Sequence, residues 1–501
     1  MTLKCRSLAL SNRAVATVPS DSSKSERICI KWFRLTDLRL HDNPSLCEAM
    51  NNKSSSGIMP LFCFDPRTFG PARSGFGNSK CGPKRAKFIL ESVADLRKQL
   101  ESKGSGLIVA YGKPENVIFD ILANVDVNRD KIPAVFCQEE VCTEEVALDA
   151  AIQANIETHH SEALFQKTWG STLYNIEDLP YPDGVNDIPN TFTPFRNKVE
   201  KNCAIDRPLP VPSKEDLKLL NFDLKSIEKC SLTFMPTLAD LGYANEEIEA
   251  VMEFDTRGVM QFIGGESEGL ARVKDYIWDK DLLKVYFDTR NGMLGADYST
   301  KFAPWLAHGC LSPRFIANEC KKYEKDRVAN KSTYWVVFEL LWRDFFKFFA
   351  LKHGSKIFFK GGTINSEKSW NHNDKKFRAW KDGKTGYPLV DANMRELSVT
   401  GFMSNRGRQN VCSFLALDLE EDWRYGADYF ESTLLDYDVH SNWGNWCSGA
   451  GMTGGRLNRF NIVKQSKDYD QHGDYVRHWL PELKNLPIEF VHEPWKMTEA
   501  Q

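Results

Sequence analysis

The hydrophobic pattern of the first third of the chain alternates between two periods. Short apolar and β-branched runs predict strands at residues 28–33, 58–64, 107–111 and 134–137. Between the second and third runs, apolar residues recur at helical spacing at Ile89, Val93, Leu96 and Leu100. Alternating strands and helices predict an α/β domain, with a doubly wound parallel sheet, over residues 27–160.

The pattern changes after this domain. Residues 161–236 are rich in Pro, Asn and Asp, which predicts a long and mostly irregular connector. Strand signals fade over residues 237–482, where helical periodicity predicts a large all-α domain, and residues 483–501 remain as a short C-terminal tail. We find no run of 18 apolar residues, so no membrane-spanning helix is expected.

The first 26 residues differ from the rest in charge. They carry Lys4, Arg6 and Arg13 but no acidic residue before Asp21. This composition is typical of a transit peptide for the chloroplast or mitochondrion. The alternative is a disordered N-terminal extension on a protein of the nucleus or cytoplasm. Both alternatives are intracellular, which agrees with 13 Cys scattered without disulfide or zinc spacing.

Composition limits the kinds of partner. The 65 Lys and Arg residues are balanced by 68 Asp and Glu, for a net charge of −3. This balance excludes a chain-wide basic footprint, so a nucleic-acid partner would have to bind a local patch. The chain also holds 13 Trp, concentrated in its second half. Most buried Trp residues are core residues, but a series leading from a redox cofactor to the surface could carry electrons.

One apolar segment, residues 334–352, carries a regular stripe of charge. Glu339, Arg343 and Lys347 are spaced four residues apart and share one helix face, with Trp342 beside it. One interpretation is an ordinary solvent face with a weak Glu–Arg helix pair. The other is a face directed towards an internal polar ligand.

Two further clusters combine charge with aromatic residues. Residues 405–408 place two Arg residues before an apolar helix, where they could be solvated or could bind phosphate or carboxylate groups. Residues 436–446 include two carboxylates, the amide of Asn442 and two Trp. In a largely buried domain such groups need partners, and pairing with each other is the simplest solution.

Taken with several ordered motifs, these residues resemble the photolyase/cryptochrome family, and most of all its cryptochrome DASH branch. The resemblance spans residues 28–480 and rests on the segments 32–39, 42–44, 289–301, 309–314, 386–391, 441–446 and 459–469. It implies that the α/β domain binds a light-harvesting antenna and that the all-α domain binds FAD.

The resemblance also implies roles for individual residues. Those expected to contact FAD are Tyr286, Ser299, Thr300, Arg343, Arg408, Asp436, Asp438 and Asn442. Asp436 matches the carboxylate that pairs with Arg408, and Asn442 matches the side chain beside flavin N5. Those expected to relay electrons to the flavin are Trp446, Trp423 and Trp370. Glu140, just after a predicted strand, resembles the carboxylate that holds a 5,10-methenyltetrahydrofolate antenna.

Other matches lie on the substrate side. Glu339 matches the acid that hydrogen-bonds a damaged pyrimidine pair, Trp342 an aromatic wall, and Asn405 a contact near flavin and lesion. A flipped base pair needs such a dry pocket with a stacking face and a polar handle. The expected DNA-contacting residues are Arg406, Gln409, Arg456, Arg459 and Lys464. Each basic residue among them could equally belong to a solvated charged face.

Two departures affect the expected substrate. Ser448 stands where DNA photolyases place a second pocket Trp, and Gln409 where many have Met. Loss of an aromatic wall weakens stacking by about 1–3 kcal/mol per base. A single strand tolerates that loss better, because flipping the dimer out of a duplex itself costs about a few kcal/mol.

The sequence therefore predicts a monomeric flavoprotein driven by blue light. It is expected to split cyclobutane pyrimidine dimers, preferentially in single-stranded DNA, by electron transfer from excited reduced FAD. The alternative is a blue-light photoreceptor that signals through flavin photoreduction with little or no repair. Asp436, Arg408 and the three Trp residues serve both functions, whereas Glu339 and Trp342 favour lesion binding.

Overall fold

A computed structural model describes residues 27–52, 55–124, 133–159, 163–219 and 229–498, so residues 1–26 lie outside the described part. The N-terminal region is built on a six-stranded sheet. Its strands are β1 (Arg27–Phe33), β2 (Ser55–Phe64), β3 (Ile108–Tyr111), β4 (Pro133–Gln138), β5 (Leu164–Thr168) and β6 (Cys230–Ser231). Their order is β5-β4-β1-β2-β3-β6, and all neighbours are parallel except the β3–β6 pair. The predicted doubly wound parallel sheet is confirmed.

The central strand explains why apolar runs, rather than strict alternation, marked this sheet. Ile30 of β1 pairs with Met59 of β2 and with Val135 of β4, and none of the three is more than 1% exposed. Helices cover both faces of a parallel sheet, so both faces of each central strand are apolar. The four helices of this region are α1 (Pro44–Met50), α2 (Pro83–Ser102), α3 (Pro114–Asn124) and α4 (Thr143–His159).

The segment predicted as an irregular connector contributes to the sheet and to the helical domain. Strands β5 and β6 both come from this segment and form the two edges of the sheet. Its helix α5 (Phe192–Asn202) buries Phe192 and Phe195. The sequence did not reveal these elements, because an edge strand of five half-exposed residues and a strand of two residues carry little periodic signal.

The second half of the chain is helical, as predicted. Its helices are α6 (Asn245–Met252), α7 (Glu266–Lys274), α8 (Tyr286–Thr289), α9 (Ala303–Ala307), α10 (Pro313–Asp326), α11 (Lys331–His353), α12 (Asp374–Lys381), α13 (Pro388–Thr400), α14 (Asn405–Ser413), α15 (Trp423–Thr433), α16 (Val439–Gly449), α17 (Ile462–Tyr469), α18 (Asp474–Trp479) and α19 (Ile488–Val491). None of the helices in the described ranges has the length and hydropathy needed to cross a bilayer.

The loop after β1 holds the two regions together. Glu266, at the start of α7, accepts hydrogen bonds from the backbone N–H groups of Leu40 and His41 at 2.7 and 3.0 Å. Arg314 of α10 donates to the buried Asp42 carboxylate at 2.6 and 3.0 Å. These contacts are buried, so they fix the sheet against α7 and α10.

The predicted C-terminal tail packs against the helical domain. Val491 of α19 is fully buried, and Glu493 accepts from Lys467 of α17 at 2.5 Å. Residues 483–498 therefore form part of this domain.

Candidate functional site

The charged stripe of α11 crosses the interior of the molecule. Arg343 Nη2 donates to Asp438 Oδ2 at 3.2 Å, and Lys347 Nζ donates to Glu140 Oε2 at 3.3 Å. The side chain of Lys347 is only 1% exposed. The solvent-face interpretation is therefore wrong, since two of the three charges of the stripe face buried partners on other elements.

The predicted pair of Arg408 and Asp436 is present next to this stripe. Nη2 of Arg408 donates to both carboxylate oxygens of Asp436, at 3.0 and 2.8 Å. Its Nε donates to the carbonyl of Met403 at 2.9 Å, which fixes the guanidinium plane. The Asp436 side chain is 4% exposed. Such a charge-assisted pair, with its carboxylate buried, is a fixed electrostatic feature for a bound group.

Asp438 begins α16 and organises its first turn. One carboxylate oxygen accepts from the backbone N–H of Ser441 at 3.1 Å, so Asp438 is the N-cap of the helix. The same oxygen lies 3.0 Å from His440 Nδ1, while the other contacts Arg343. Burial opposes ionisation, but His440 and Arg343 outweigh it and hold the pKa of Asp438 well below its ordinary value.

Asn442 follows on the same turn of α16. Its Nδ2 donates to the carbonyl of Ala427 at 2.9 Å, and the residue is 8% exposed. This bond fixes the amide orientation, and the side-chain oxygen and the second N–H remain to contact a cofactor. Asp436, Asp438 and Asn442 therefore converge at one end of α16, beside Arg343 and Arg408.

A second polar group lies on the loop before α9. Arg272 of α7 shapes this loop by donating to the carbonyls of Ala296, Ser299 and Thr300 at 2.9, 3.3 and 3.1 Å. Lys301 Nζ donates to Ser299 Oγ at 2.9 Å. Lys301 is 3% exposed, and burial together with the Arg272 charge lowers its pKa to about 6.

These features fit the cofactor that the resemblance implies. The buried amine of Lys301 has no carboxylate within ion-pair distance in the described parts of the chain. The pyrophosphate of FAD would supply the missing negative charge, with the hydroxyls of Ser299 and Thr300 as further donors. Tyr286, at the start of α8, is 8% exposed and lies outside this loop. Lys301 was not among the predicted site residues, although it directly follows two of them in the sequence.

The three predicted relay indoles lie on α15, against it, or next to a residue that is hydrogen-bonded to the segment before it. The ring of Trp446 lies against Gly426 of α15, where an added Cβ would come within 2.3 Å of it. Trp423 begins α15. Asn371, next to Trp370, is hydrogen-bonded through its backbone to Glu420 and Asp422, just before Trp423. The exposed fractions are 2% for Trp446, 0% for Trp423 and 8% for Trp370.

Two further indoles that the sequence analysis did not single out contact this series. Trp380 lies 6.0 Å from Trp446 between ring centroids, and Trp443 lies 6.0 Å from Trp423. Their positions in the sequence carry no signal of this proximity, because residues on different helices are brought together only by packing.

The third charge of the stripe, Glu339, lies on a partly exposed surface that it forms with Arg290, Trp335 and Trp342 and that we call the mouth. Its side chain is 30% exposed and forms an ion pair with Arg290. The indole N–H of Trp335 donates to it at 3.1 Å. Burial raises the pKa of Glu339, although Arg290 and Trp335 counteract part of this effect. Arg290, which follows α8, was not predicted as a site residue.

Trp342 and the α14 residues line the same mouth. Phe192 of α5 stacks on Trp342 with ring centroids 3.7 Å apart. Arg406 donates to Asn291, beside Arg290, at 3.0 Å and to Gln409 at 2.9 Å.

The remaining residues predicted on the substrate side, Asn405 near flavin and lesion and the other DNA contacts, are more scattered. Asn405 is exposed at the start of α14, and Arg456 is exposed in the loop after α16. Arg459 pairs with Asp418 at 2.6 Å and Lys464 with Asp468 at 2.8 Å. Exposed pairs of this kind are weak and can be exchanged for phosphate.

Glu140 lies at the junction of the sheet and α11. Its Oε1 accepts from Thr36 and, at 2.8 Å, from Gln138, while its Oε2 contacts Lys347. Burial opposes ionisation, but Lys347 and Arg34 lower the pKa of Glu140 below its ordinary value. The carboxylate is thus ionised and already bound by protein groups.

Comparisons with known proteins agree with this geometry. The family model of DNA photolyase matches residues 29–213, and that of the FAD binding domain of DNA photolyase matches residues 335–501. A cryptochrome DASH, chloroplastic/mitochondrial, of Ostreococcus tauri is 49% identical over 92% of this chain and 86% of its own length.

Two solved structures share the fold. The Synechocystis cryptochrome has a TM-score of 0.86 and 46% identity, covering 95% of this chain and 92% of its own. An archaeal photolyase from Sulfolobus tokodaii, solved with two FAD molecules, has a TM-score of 0.72 and 26% identity, covering 94% of each chain. The chain therefore belongs to the cryptochrome DASH branch of the photolyase/cryptochrome family, and its helical domain is an FAD-binding domain.

Proposed function

We propose that the chain is a deoxyribodipyrimidine photo-lyase driven by blue light, which repairs cyclobutane pyrimidine dimers preferentially in single-stranded DNA. The position of Glu339 carries this proposal. Its half-exposed carboxylate lies one helical turn, about 6 Å, from Arg343 on the cofactor side. One face of α11 thus joins the partly exposed mouth around Glu339 to the groups that would hold FAD.

The residues at the mouth have separable tasks. Burial raises the pKa of the Glu339 carboxyl against the opposing effects of Arg290 and Trp335, and the group can form a hydrogen bond to the polar edge of the dimer. Trp342, on which Phe192 stacks, provides the aromatic wall. Asn405, the first residue of α14, provides a further contact to the flavin and the dimer. Bound reduced FAD, when excited by light, supplies the electron that splits the cyclobutane ring.

The preference for single strands follows from the missing wall. Ser448 is exposed on α16 and offers no ring for stacking. The pocket therefore has less binding energy to offset extrusion of a dimer from a duplex, by about 1–3 kcal/mol for the lost stacking.

Repair assays with a Glu339→Gln variant test this proposal. Dimer-containing single strands and duplexes are illuminated with blue light, and the rate of dimer loss is measured. Glu339→Gln is expected to reduce the rate by about 10- to 100-fold, as for loss of one charge-assisted hydrogen bond of about 1.5–3 kcal/mol. Normal repair by this variant, or equal rates of the wild type on duplex and single strand, would contradict the proposal.

Glu319→Gln is a matched control. Glu319 of α10 also accepts from an indole, that of Trp278 at 2.9 Å, and from a cation, Lys322 at 2.6 Å. The control therefore removes a similar charge in a similar setting away from the mouth. It should repair dimers at the wild-type rate.

A second candidate function is light sensing through flavin photoreduction, which the indole series around α15 supports. Trp423→Phe should slow photoreduction while leaving repair by chemically reduced protein unchanged. Glu339→Gln should slow repair while leaving flavin photoreduction unchanged. Measuring both repair and photoreduction on each variant thus separates the two functions.

Two accessory features belong to the same proposal. Methenyltetrahydrofolate is proposed as the antenna at Glu140, where the pterin would replace the Gln138 amide on the carboxylate while the pair with Lys347 remains. A near-ultraviolet absorption band that Glu140→Gln removes would support it. We propose a monomer, located in the chloroplast or mitochondrion, where the names of the Ostreococcus and Arabidopsis relatives place those proteins.

A further inference from the structure

The first half of α11 has an unusual outer face. Tyr334, Trp335, Phe338 and Trp342 are all at least partly exposed, and Tyr334 is 38% exposed. The buried side of the same turns is formed by aliphatic residues such as Leu340. A helix face that meets solvent is normally polar. Tyr334, Phe338 and Trp342 already contact Glu200 or Phe192 of α5, so it is the ring of Trp335 and the exposed edges of the others that call for a ligand or partner.

Three rings form a compact group within this face. Trp335 and Phe338 are stacked with centroids 4.4 Å apart and planes inclined by 29°. Phe287 of α8 meets Trp335 edge-on at 4.7 Å. The indole N–H of Trp335 donates to Glu339 at 3.1 Å, which fixes the ring beside the proposed dimer handle.

Cations lie over the faces of these rings. Lys331 Nζ lies 3.4 Å from the centroid of Phe287 and 5.5 Å from that of Trp335. The guanidinium of Arg290 lies 5.5 Å from the Trp335 centroid. Lys331 has no carboxylate within ion-pair distance in the described segments, so its charge remains available to an anion.

We propose that Trp335, Phe338 and Phe287, together with Lys331 and Arg290, form a stacking site for an undamaged base that flanks the dimer in a single DNA strand. The inference rests on the proposed function, since it names how the strand is held beside the dimer pocket. The rings stack on the base, and the two cations move from the ring faces to the adjacent phosphates.

The chemistry favours a single strand over other occupants. Every base has an aromatic face, so stacking on a protein ring tolerates any sequence, and it contributes about 1–3 kcal/mol per base. Bases in a duplex already stack on their neighbours and cannot use the site. An apolar segment of a protein partner would use the rings but not the cations.

The stacking site also accounts for the departure at Ser448. A pocket that lacks one aromatic wall binds the dimer less well. A ring group one helical turn before Glu339 can restore that loss outside the pocket, but only when the flanking base is unpaired. The substrate preference would then arise at two places that act in the same direction.

Binding of undamaged DNA tests the site independently of repair. The FAD-loaded full-length protein is titrated in the dark with a fluorescent oligothymidylate of about ten nucleotides, within the range that single-strand sites cover. Trp335→Ala is expected to weaken binding by about 5- to 100-fold, and Trp335→Phe to retain most of the affinity. Lys331→Ala should reduce the slope of log affinity against log salt by about 0.7.

The controls separate a local loss from a general one. Trp278→Ala removes another partly buried indole that lies under an arginine, Arg327, at 5.4 Å but contacts α10. It should bind oligothymidylate like the wild type. Flavin absorbance and thermal unfolding show whether each variant is folded. If Trp335→Ala loses its flavin, Lys331→Ala tests the stacking site instead, because Lys331 is exposed and its loss should leave the fold intact.

The outcomes distinguish this inference from the proposed function. If a folded Trp335→Ala variant binds oligothymidylate like the wild type, the stacking site is overturned, whatever the repair rate. If Trp335→Ala does not fold, the same conclusion follows from Lys331→Ala when its binding and salt dependence are unchanged. Binding that depends on Trp335 in a wild type that repairs no dimers supports the stacking site and contradicts the proposed function. Equal losses on duplex and single strand would overturn the assignment to an unpaired base.

Discussion

The two ends of the α11 stripe hold their charges in contrasting ways. At the inner end, Lys347 and Glu140 are 1% and 3% exposed. At the outer end, Glu339 and Arg290 are 30% and 16% exposed. A buried pair cannot release one partner without leaving an uncompensated charge, whereas water screens a half-exposed pair and allows its partners to be exchanged. The inner pair therefore builds the frame, and the outer pair is where a ligand can enter.

The strongest test of this contrast removes one member of the inner pair. Lys347→Ala leaves Glu140 ionised and buried, so the free energy of unfolding should fall by about 3–5 kcal/mol. Urea unfolding measures the loss. Adding Glu140→Gln should recover most of it, because the second substitution removes the unpaired charge. A loss of stability below about 1 kcal/mol in Lys347→Ala would show that this buried pair contributes no more than an exposed ion pair.

A second test concerns the packing between the frame and the indoles. The Cβ of Gly426→Ala would lie 2.3 Å from the Trp446 ring, so α15 and α16 must shift. We expect a destabilisation of about 1–3 kcal/mol and slower flavin photoreduction. Gly75→Ala is the matched control, since nothing lies within 4 Å of its added Cβ. Photoreduction at the wild-type rate would show that the Trp446 ring is not held in place by this contact.

The third test uses pH. Burial raises the pKa of Glu396 on α13 to about 8, while Tyr475, which donates to it at 2.6 Å, opposes the shift. The folded chain keeps this proton from pH 4.5 up to about 8, but the unfolded chain loses it near its ordinary value of 4.5. Stability should therefore fall as pH rises through this window, by up to about 1.4 kcal/mol per pH unit.

Glu396→Gln provides the comparison for that test. The amide does not titrate, so the variant should lack this part of the pH dependence. Urea unfolding of both proteins across the window gives the two slopes. Identical slopes would mean that Glu396 ionises normally in the folded chain.

The smallest effect on stability is expected at the outer pair. Arg290→Ala should change the free energy of unfolding by less than about 1 kcal/mol, because the pair is half exposed. Its effect should appear instead in weaker binding of dimer-containing single strands. A loss as large as that of Lys347→Ala would show that both ends of the stripe are structural.

Local periodicity was enough to predict strands β1–β4 and helix α2. The four predicted strands coincide with β1–β4, and the helical spacing of Ile89 to Leu100 corresponds to α2. The spacing of Glu339, Arg343 and Lys347 correctly placed them on one face of a helix. Long ordered motifs then indicated the family and FAD, because they fix many residue types in sequence.

Only the tertiary structure decided what each of these residues contacts. Lys347 meets Glu140, 207 residues away, and Glu339 meets Arg290, 49 residues away. Sequence pattern reports how one element divides its faces between core and solvent, but the partner of a face depends on how distant elements pack. For the same reason, only the folded chain shows that Arg290 and Trp335 contact Glu339 and that Lys301 is a buried amine. The positions of β5 and β6 at the sheet edges are likewise visible only in the structure.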